Sequence, residues 1–590
     1  MNFLSYFFCK HDKSFPTIIC EPLNFTQKFY VHLQQIFSTM IAIHIQNTNK
    51  DLTIPFGMTV QDLAKQENIH LEYPVMGALI NNKVRECAYR IHKPCTVQFF
   101  DMTSSYGHLM YIRSVYFILH KAVKDILPKQ VKLKILHSIS GGKYCELDNL
   151  DQALDQGLVS RLYKRMKEIV DSNLPFERLE LPTEESVQLF KDEGLEDKYE
   201  LLRHRTRIYT SIYKLGNTVN YYFGNLAPST GVIHLFGLEL YEAGMLLKVP
   251  QPQHPTTLAH THQVPKLFSV YQDYKKWANL IGIPYVYNVN KKIMDGKIQD
   301  TILISEAYHE KLLAKIADQI NEKQAKVVLI SGPSSSGKTT TCKRLSVQLG
   351  ILGYDPVQIS VDDFFVEREE TPKDENGEYD FESIDAIDLK LFNDTLNRLL
   401  QGEEVPLPTF DFTQGKKLWK GNTIQMKPNS MLVIEGIHCL NPRLTDQIDD
   451  NIKFKLFVSA LTCISIDQQN PIPTNDNRLI RRIIRDYNYR GYSAQETISR
   501  WPSVRRGENR NIFPFQENAD AMFNTSLICE MGVLKQYAIP ILAAVPENCV
   551  EYAETYRLLK FLSYFKMIPE KNIPGTSILR EFVGGSKFKY

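Results

Sequence analysis

Residues 332–339 read Gly332-Pro333-Ser334-Ser335-Ser336-Gly337-Lys338-Thr339, and this stretch fits the phosphate-binding pattern G-x-x-x-x-G-K-S/T. The preceding residues 326–331 form an apolar, β-branched run that is typical of a buried parallel strand. Residues 340–345, which begin with Thr340, contain no glycine or proline, as expected for a helix. Glycines in such a loop let successive N–H groups face an anion at the helix N-terminus. We therefore expect residues 332–340 to bind the phosphates of a nucleoside triphosphate rather than to form an ordinary Ser/Gly-rich turn.

The last two residues of this loop have specific expected roles. Lys338 would reach the β- and γ-phosphates of ATP and stabilise charge during transfer, which makes it a candidate catalytic residue. The Thr339 hydroxyl is placed to hold Mg²⁺, the expected metal cofactor beside ATP. Because such a loop also occurs in GTPases and motor ATPases, later segments must decide the class of enzyme.

Two further strands of the expected sheet run into acidic residues. Asp362 and Asp363 follow the strand at residues 357–360, and Glu435 closes the strand at residues 431–434. Ligands of an open α/β sheet bind at the carboxyl ends of its strands, so these acids should face the phosphates. Asp362 could then take a hydroxyl proton from an acceptor, and Glu435 could hold Mg²⁺ in a Walker B arrangement. For both acids, the alternative is a carboxylate that caps the next turn, and Asp362 could also support the metal indirectly.

A row of arginines follows these motifs. Arg478, Arg482 and Arg485 stand at i, i+4 and i+7, so they share one face of the expected helix. A solvated helix face would usually mix acidic residues into such a row. The one-sided row indicates a lid that closes on phosphates, in which Arg482 and Arg485 stabilise the charge that moves during transfer.

The composition is that of an ordinary globular chain with several domains. The 590 residues are 43% hydrophobic and 23% charged, and 69 basic against 67 acidic residues leave a net charge of +2. With this near-neutral balance, the chain has no overall electrostatic field that would attract it to nucleic acid or membranes. The ten cysteines include no C-x-x-C pair, so neither a disulfide framework nor a zinc site is indicated. Because no apolar run is long enough to span a bilayer, we expect a cytoplasmic protein without a membrane partner.

The motifs in residues 325–545 together resemble the uridine kinase and phosphoribulokinase family. The resemblance implies an α/β P-loop kinase fold with a parallel sheet. It also implies that Asp362 activates the acceptor hydroxyl and that Asp385 holds the ribose hydroxyls of a nucleoside. The other matched residues are Glu435 for the magnesium site, and Arg482 and Arg485 for the lid.

The chain departs from that family where the base of a nucleoside would be recognised. Phe410 stands where the family has a tyrosine, so this substrate-binding position lacks the phenol. Gly415 stands where the family usually has a pyrimidine-contacting histidine, and Tyr492 replaces a later lid arginine. Buried polar groups supply most base discrimination, so these changes leave the identity of the acceptor open.

The residues in front of the kinase motifs resemble two domains of threonyl-tRNA synthetases. Residues 40–102 alternate as short strands around one helix, like the β-grasp TGS domain. Residues 103–265 resemble the α+β editing domain, but Arg113 and Phe117 stand where that family has the histidines of its H-x-x-x-H motif. Residues 220–226 offer neither the later cysteine nor histidine, so the zinc or hydrolytic site of that family cannot form in the same way. We therefore predict an editing-like fold that has lost its hydrolytic site and serves binding or scaffolding.

Three segments complete the expected order of domains. Residues 1–39 are an aromatic-rich extension of unknown role, and Met40 opens a more regular pattern. Residues 266–324 are expected to form a helical connector, and residues 546–590 a C-terminal tail.

These observations predict an ATP- and Mg²⁺-dependent kinase that phosphorylates a small acceptor, preferably the 5′-hydroxyl of a nucleoside. Two alternatives stay open: a sugar-phosphate kinase of the phosphoribulokinase type, and an RNA-binding regulator whose front half binds tRNA. A net charge of +2 gives nucleic-acid binding no support. A homo-oligomer is compatible with the sequence, which does not fix the oligomeric state.

Overall fold

The computed structural model describes residues 40–205, 207–373, 377, 379–411 and 414–589. The predicted extension at residues 1–39 lies outside the described residues and stays a prediction. Within the described ranges, no helix is both long and apolar enough to cross a membrane.

The first unit is a five-stranded sheet that packs against one helix. Its elements are β1 (Met40–Ile45), β2 (Lys50–Pro55), α1 (Val60–Gln66), β3 (Gly77–Ile80), β4 (Lys83–Glu86) and β5 (Cys95–Phe100). The sheet order is β2-β1-β5-β3-β4, with β1 parallel to β5, as in a β-grasp fold. Thr59 caps α1 by accepting a hydrogen bond from the Asp62 amide, and the helix buries Val60 and Leu63 beneath the sheet.

The second unit contains two antiparallel sheets and four helices in the described residues. Its elements are α2 (Ser105–Ile126), β6 (Lys132–Ile139), β7 (Gly142–Asp148), α3 (Gln156–Asp171), β8 (Glu177–Pro182), α4 (Thr183–Asp192), α5 (Glu196–Leu202), β9 (Tyr209–Leu215), β10 (Thr218–Asn220), β11 (Gly237–Tyr241) and β12 (Gly244–Lys248). The sheets have the orders β10-β9-β8 and β11-β12-β7-β6. Phe117 on α2 is fully buried against the rings of Phe176 and Tyr222. A core residue therefore stands at the position that aligns with a histidine of the editing domain.

Three helices connect this unit to the kinase motifs: α6 (Pro265–Leu280), α7 (Val286–Met294) and α8 (Ile298–Glu322). The last of these helices, α8, buries Ile298 and Ile302, which begin its apolar face at the N-terminus.

The kinase motifs lie on a parallel five-stranded sheet of order β14-β19-β13-β20-β23. The elements of this part are β13 (Val327–Ser331), α9 (Lys338–Ile351), β14 (Asp355–Ser360), α10 (Leu389–Leu400), β15 (Glu404–Pro406), β16 (Thr409–Asp411), β17 (Lys416–Leu418), β18 (Thr423–Gln425), β19 (Ser430–Glu435), β20 (Lys453–Ser459), β21 (Ser465–Asp467), β22 (Asn470–Pro471), α11 (Thr474–Arg490), α12 (Ala494–Asn511) and β23 (Ala521–Asn524). Strand β13 is central, and its carboxyl end leads into the loop at residues 332–337 between β19 and β20. The α/β fold with a parallel sheet predicted from the sequence is confirmed.

The C-terminal residues are part of the core rather than a tail. They continue with α13 (Glu530–Ala543), α14 (Tyr552–Leu562) and α15 (Arg580–Val583). Phe561, Ile578 and Phe582 are fully buried in the same cluster as Val328 and Ile330 of β13. The prediction of a tail at residues 546–590 is therefore corrected, because these residues cover apolar surface that the kinase sheet and its helices would otherwise expose.

Candidate active site

The loop between β13 and α9 has a backbone shape that its small residues permit. A Cβ atom on Gly332 would lie 2.0 Å from the carbonyl oxygen of Val458, so any larger residue would displace strand β20. Gly337 and Ser335 both adopt left-handed backbone, with φ of 86° and 58°. The buried hydroxyls of Ser335 and Ser336 have no hydrogen-bond partner among the described residues. Unpartnered donors at the start of a helix fit the phosphates of a nucleotide.

Thr339 and Glu435, the two residues predicted to hold Mg²⁺, are neighbours. The Thr339 hydroxyl donates a hydrogen bond of 3.1 Å to Glu435 Oε1. Burial raises the pKa of Glu435 to about 7; the Lys338 ammonium opposes this effect, and the Asp362 carboxylate adds to it. All four side chains therefore act within one small region. A hydroxyl and a carboxylate, completed by phosphate oxygens and water, suit the octahedral preference of Mg²⁺.

The two aspartates that follow β14 have different surroundings. Asp363 Oδ1 accepts a hydrogen bond of 3.2 Å from the Phe410 amide, so this carboxylate fixes strand β16, and burial raises its pKa. Asp362 makes no hydrogen bond or ion pair with any residue in the described part of the chain. Its charge helps to raise the pKa of Glu435, which places it at the phosphate loop. Of the two acids, Asp362 is the one available to an acceptor hydroxyl.

The predicted row of arginines lies on α11 and approaches the loop from one side. Arg478 is buried, and its Nε donates to the Ser334 carbonyl oxygen at 3.0 Å. Arg482 donates to the Ser334 hydroxyl at 2.8 Å. Asp486 pairs with both Arg482 and Arg485, at 3.2 and 2.9 Å. The proposed closing of Arg482 and Arg485 over the γ-phosphate stays a prediction.

Two buried residues at the loop escaped sequence reasoning. Arg481 is fully buried, donates to the Ser335 carbonyl oxygen at 3.3 Å and pairs with Glu530. Glu508 on α12 accepts from the Ser334 amide at 3.0 Å and pairs with Arg478. The i+3 spacing of Arg481 from Arg478 could have identified it. No local signal marks Glu508, which lies 174 residues after the loop.

The segment predicted to hold the ribose contains a second acid that interacts with the site. Asp385 is exposed, and its Oδ1 accepts from Arg443 at 2.5 Å. Burial and the Glu508 carboxylate raise the pKa of Glu382 to about 7, and the Lys338 ammonium opposes this effect. The role of Asp385 stays a prediction, and Glu382 is an additional residue of the site.

The acceptor side also differs from what the motifs suggest. Phe410 is 7% exposed and packs against Phe365 at 5.5 Å between ring centroids, so the ring is part of the core. Gly415 has a φ of 71°, and a Cβ atom there would lie 2.7 Å from the side chain of Arg368. The Arg368 guanidinium therefore lies beside Gly415, and a role of this position in recognising the base stays a prediction. Substrate binding by Phe410 stays a prediction.

The C-terminal residues close the back of the loop. Glu581 on α15 accepts a hydrogen bond of 2.5 Å from the Thr340 hydroxyl. Ile578 packs on Gly337, since a Cβ atom there would lie 3.1 Å from its methyl group. The segment that looked like a tail thus positions the first turn of α9.

Comparisons with known proteins divide the chain in two. Residues 327–528 match the Phosphoribulokinase / Uridine kinase family. A uridine kinase of Lactobacillus helveticus is 28% identical over 196 residues, which are 33% of this chain and 83% of that protein. A threonine–tRNA ligase of Clostridium kluyveri is 31% identical over 193 residues in the N-terminal region, which are 32% of this chain and 30% of that ligase. The chain thus spans 30% of the length of the first relatives that it matches.

One solved structure, described as a possible uridine kinase from Bacillus stearothermophilus, aligns with 34% of this chain and 89% of its own length. Its sequence identity is 20% and its TM-score 0.23. The family match, and the loop, acid and arginine motifs within it, lead to one conclusion: residues 327–528 form a domain of the phosphoribulokinase and uridine kinase family, behind domains related to threonine–tRNA ligases.

Proposed function

We propose that the chain is an ATP-dependent kinase that transfers the γ-phosphate to a hydroxyl of a small acceptor, and that this acceptor is a nucleoside. The observation that carries the proposal is the phosphate loop beside the Thr339–Glu435 pair, with the unpaired Asp362 at the end of the neighbouring strand. An acceptor hydroxyl must lose its proton during transfer, and the Asp362 carboxylate at this edge of the sheet suits that role. Similarity to uridine kinases supports a nucleoside.

The residues of the site have separate roles in phosphoryl transfer. The loop amides and Lys338 bind the phosphates, while Arg478 and Arg481 hold the loop carbonyl groups in place. Thr339 and Glu435 would hold Mg²⁺, which neutralises phosphate charge when bound. Asp362 accepts the proton of the acceptor hydroxyl while the oxygen of that hydroxyl forms a bond to the γ-phosphorus. The bond from that phosphorus to the β–γ bridging oxygen breaks, and ADP leaves.

A sugar phosphate is the second candidate acceptor, and one observation favours it. The side chain of Arg368 lies against Gly415, and the Arg368 amide donates to the Gly415 carbonyl oxygen at 2.9 Å. A guanidinium is well suited to a phosphate group and supplies no specific contact to a pyrimidine edge.

An acceptor panel tests both candidates. The purified chain with ATP and Mg²⁺ would be offered uridine, cytidine, adenosine, guanosine, ribulose 5-phosphate and ribose 5-phosphate, with ADP formation followed by a coupled assay. We expect ADP release that depends on a nucleoside, with a nucleoside 5′-monophosphate as product. Turnover with a sugar phosphate alone would select the second candidate. Acceptor-independent ADP release with every compound would reject both.

A further inference from the structure

A second cavity lies between α2, residues 223–225 and α14, and none of its walls belongs to the phosphate loop. We call it the α2–α14 cavity. It includes Arg113, one of the two positions where an editing histidine would stand, and its volume is about 70 Å³. At about 10–15 Å³ for each buried water, this space would hold roughly five waters or one small polar group. Across the described residues, no group of three or more histidine, cysteine or acidic side chains is placed to bind a metal.

Arg113 enters the cavity near the carboxylates of Asp476 and Glu554, but neither is bonded to it directly. Its guanidinium lies flat on Gly224, where a Cβ atom would approach within 2.6 Å of Cζ, and 5.9 Å from the ring of Phe223. Glycine is therefore required opposite this side chain. Within the described residues, Arg113 makes no hydrogen bond or ion pair. Burial lowers its pKa to about 10.

Lys560 on α14 reaches the same ring from the other wall. Its Nζ lies 5.8 Å from the centroid of Phe223, and among the described residues it has no hydrogen bond or ion pair. Burial lowers its pKa to about 7, and the neighbouring arginines at 178, 113, 207 and 205 lower it further. Glu86, an acid whose pKa Lys560 helps to lower, is already paired with Arg178 at 2.9 Å.

The other cation of the cavity is neutralised. Arg557 donates to both oxygens of Asp476, at 2.7 and 2.8 Å, and also pairs with Glu554. Arg113 and Lys560 therefore line the cavity with N–H groups that no described residue accepts from, although Asp476 and Glu554 lie close enough to Arg113 to interact with its charge. Buried polar groups are costly unless they are hydrogen-bonded, so this arrangement suits an anion that comes from outside the chain.

We propose that the α2–α14 cavity binds the phosphate group of a small phosphorylated molecule, held between Arg113 and Lys560. Two cations that line one small cavity suit a dianion better than a carboxylate. The small volume accepts the phosphate itself and leaves the rest of the molecule at the opening. This site is independent of the proposed kinase reaction, and it replaces the hydrolytic chemistry of the related editing fold with anion recognition.

The test is a calorimetric titration of the full chain, with the phosphate loop filled by a non-hydrolysable ATP analogue and Mg²⁺. Inorganic phosphate and glycerol 3-phosphate are the two probes, so that a free phosphate and a phosphate monoester are distinguished. We expect one bound molecule per chain, and Arg113→Met or Lys560→Met should weaken its affinity by about tenfold or more. Arg161→Met, which removes an exposed arginine on α3, is the matched control and should bind normally.

A second readout covers the case in which a variant does not fold. Sulfate does not titrate near neutral pH, so proton uptake on its binding reports on Lys560. Lys560 is largely neutral above its pKa of about 7, and an anion beside it should draw a proton from the buffer at about pH 8. Absence of phosphate and sulfate binding to the wild-type chain, or affinities unchanged in both variants, would overturn the proposal.

Discussion

The charge on Lys338 acts directly on the carboxylates of the phosphate site. It lowers the pKa of both Glu435 and Glu382, so the ammonium lies near both carboxylates. Lys338→Ala should abolish phosphoryl transfer and leave the fold intact, because it removes the positive charge aimed at the transferring phosphate. A coupled ADP assay and thermal unfolding measure the two effects. Lys315→Ala, on the exposed face of α8, should keep normal turnover, and a folded Lys338→Ala enzyme with near-normal turnover would contradict the kinase proposal.

Asparagine variants of Asp362 and Asp363 can separate an effect on phosphoryl transfer from an effect on nucleotide binding. Asp362→Asn should keep the affinity for ATP and Mg²⁺ but lower kcat by about 10²–10⁴-fold, since a well-placed general base contributes that much. Asp363→Asn is the comparison, because Asp363 bonds the Phe410 amide and should affect stability more than transfer. Labelled ATP is titrated into each variant beside a turnover assay. A joint loss of Mg²⁺-dependent ATP affinity and turnover in Asp362→Asn would make Asp362 a metal ligand instead.

At the scale of single elements, we expect alanine substitutions at two glycines, Gly332 in the phosphate loop and Gly350 in α9, to change stability in opposite directions. Gly332→Ala would place a Cβ atom 2.0 Å from the Val458 carbonyl oxygen, so the loop or strand β20 must move. Overpacking of this kind costs about 1–3 kcal/mol, and nucleotide affinity should fall with it. Gly350→Ala meets no atom within 4 Å and should be neutral or stabilise by about 0.5–1 kcal/mol. Urea unfolding and binding of a fluorescent ATP analogue compare the two, and equal stability of both variants would contradict the argument.

The same elements show which contacts local sequence can indicate. The strand, loop and helix at residues 326–345 follow from adjacent residues, and the pairing of Thr339 with Glu435 follows from the rule that parallel strands end at one edge. Helical periodicity selected one face of α11 and so left out Arg481. The four consecutive residues 478–481 of that helix are all buried, so more than one of its faces is covered.

Residues that reach the loop from distant segments gave no signal in the sequence. Glu581 bonds to Thr340 across 241 residues, and Glu508 to Ser334 across 174. Neither stands in a pattern with its partner, since tertiary packing alone brings them together. Glu382 is a further acid of the ribose segment that acts on the site, and the motif residue Asp385 faces solvent and pairs with Arg443, so its role stays a prediction.

On the scale of the whole molecule, the front half and the kinase half share one core. Phe190 and Leu202 from the second unit are buried in the same cluster as Val328 and Ile330 of β13. The backbone also joins the halves, because the Ile135 amide of β6 donates to the Gln468 carbonyl oxygen at 2.8 Å. Sequence patterns divide such a chain into separate domains, since each unit has its own periodicity. The contacts between units involve residues that are far apart in sequence, and no local pattern reports them.

Lys198 gives the last prediction, which concerns this joint core. It is fully buried on α5, and its Nζ donates to Asp467 of β21 at 2.9 Å and to Gln469 at 2.6 Å. Lys198→Met would leave the Asp467 carboxylate buried without its cation, which should cost about 3–5 kcal/mol of unfolding free energy. Lys164→Met, on the exposed face of α3, should cost less than about 0.5 kcal/mol and serves as the control.

Urea unfolding followed by circular dichroism and by tryptophan fluorescence provides the measurement. The tryptophans lie at positions 277, 419 and 501, so fluorescence reports on the connector and kinase parts, whereas circular dichroism reports on all units. Because Lys198 joins the two halves through a buried ion pair, we expect both signals to shift together to lower urea in Lys198→Met. A shift confined to circular dichroism, with tryptophan fluorescence unchanged, would show that the front half unfolds on its own. The shared core would then contribute little to the stability of the kinase site, and the packing of α5 on β21 would be a contact between two independent domains.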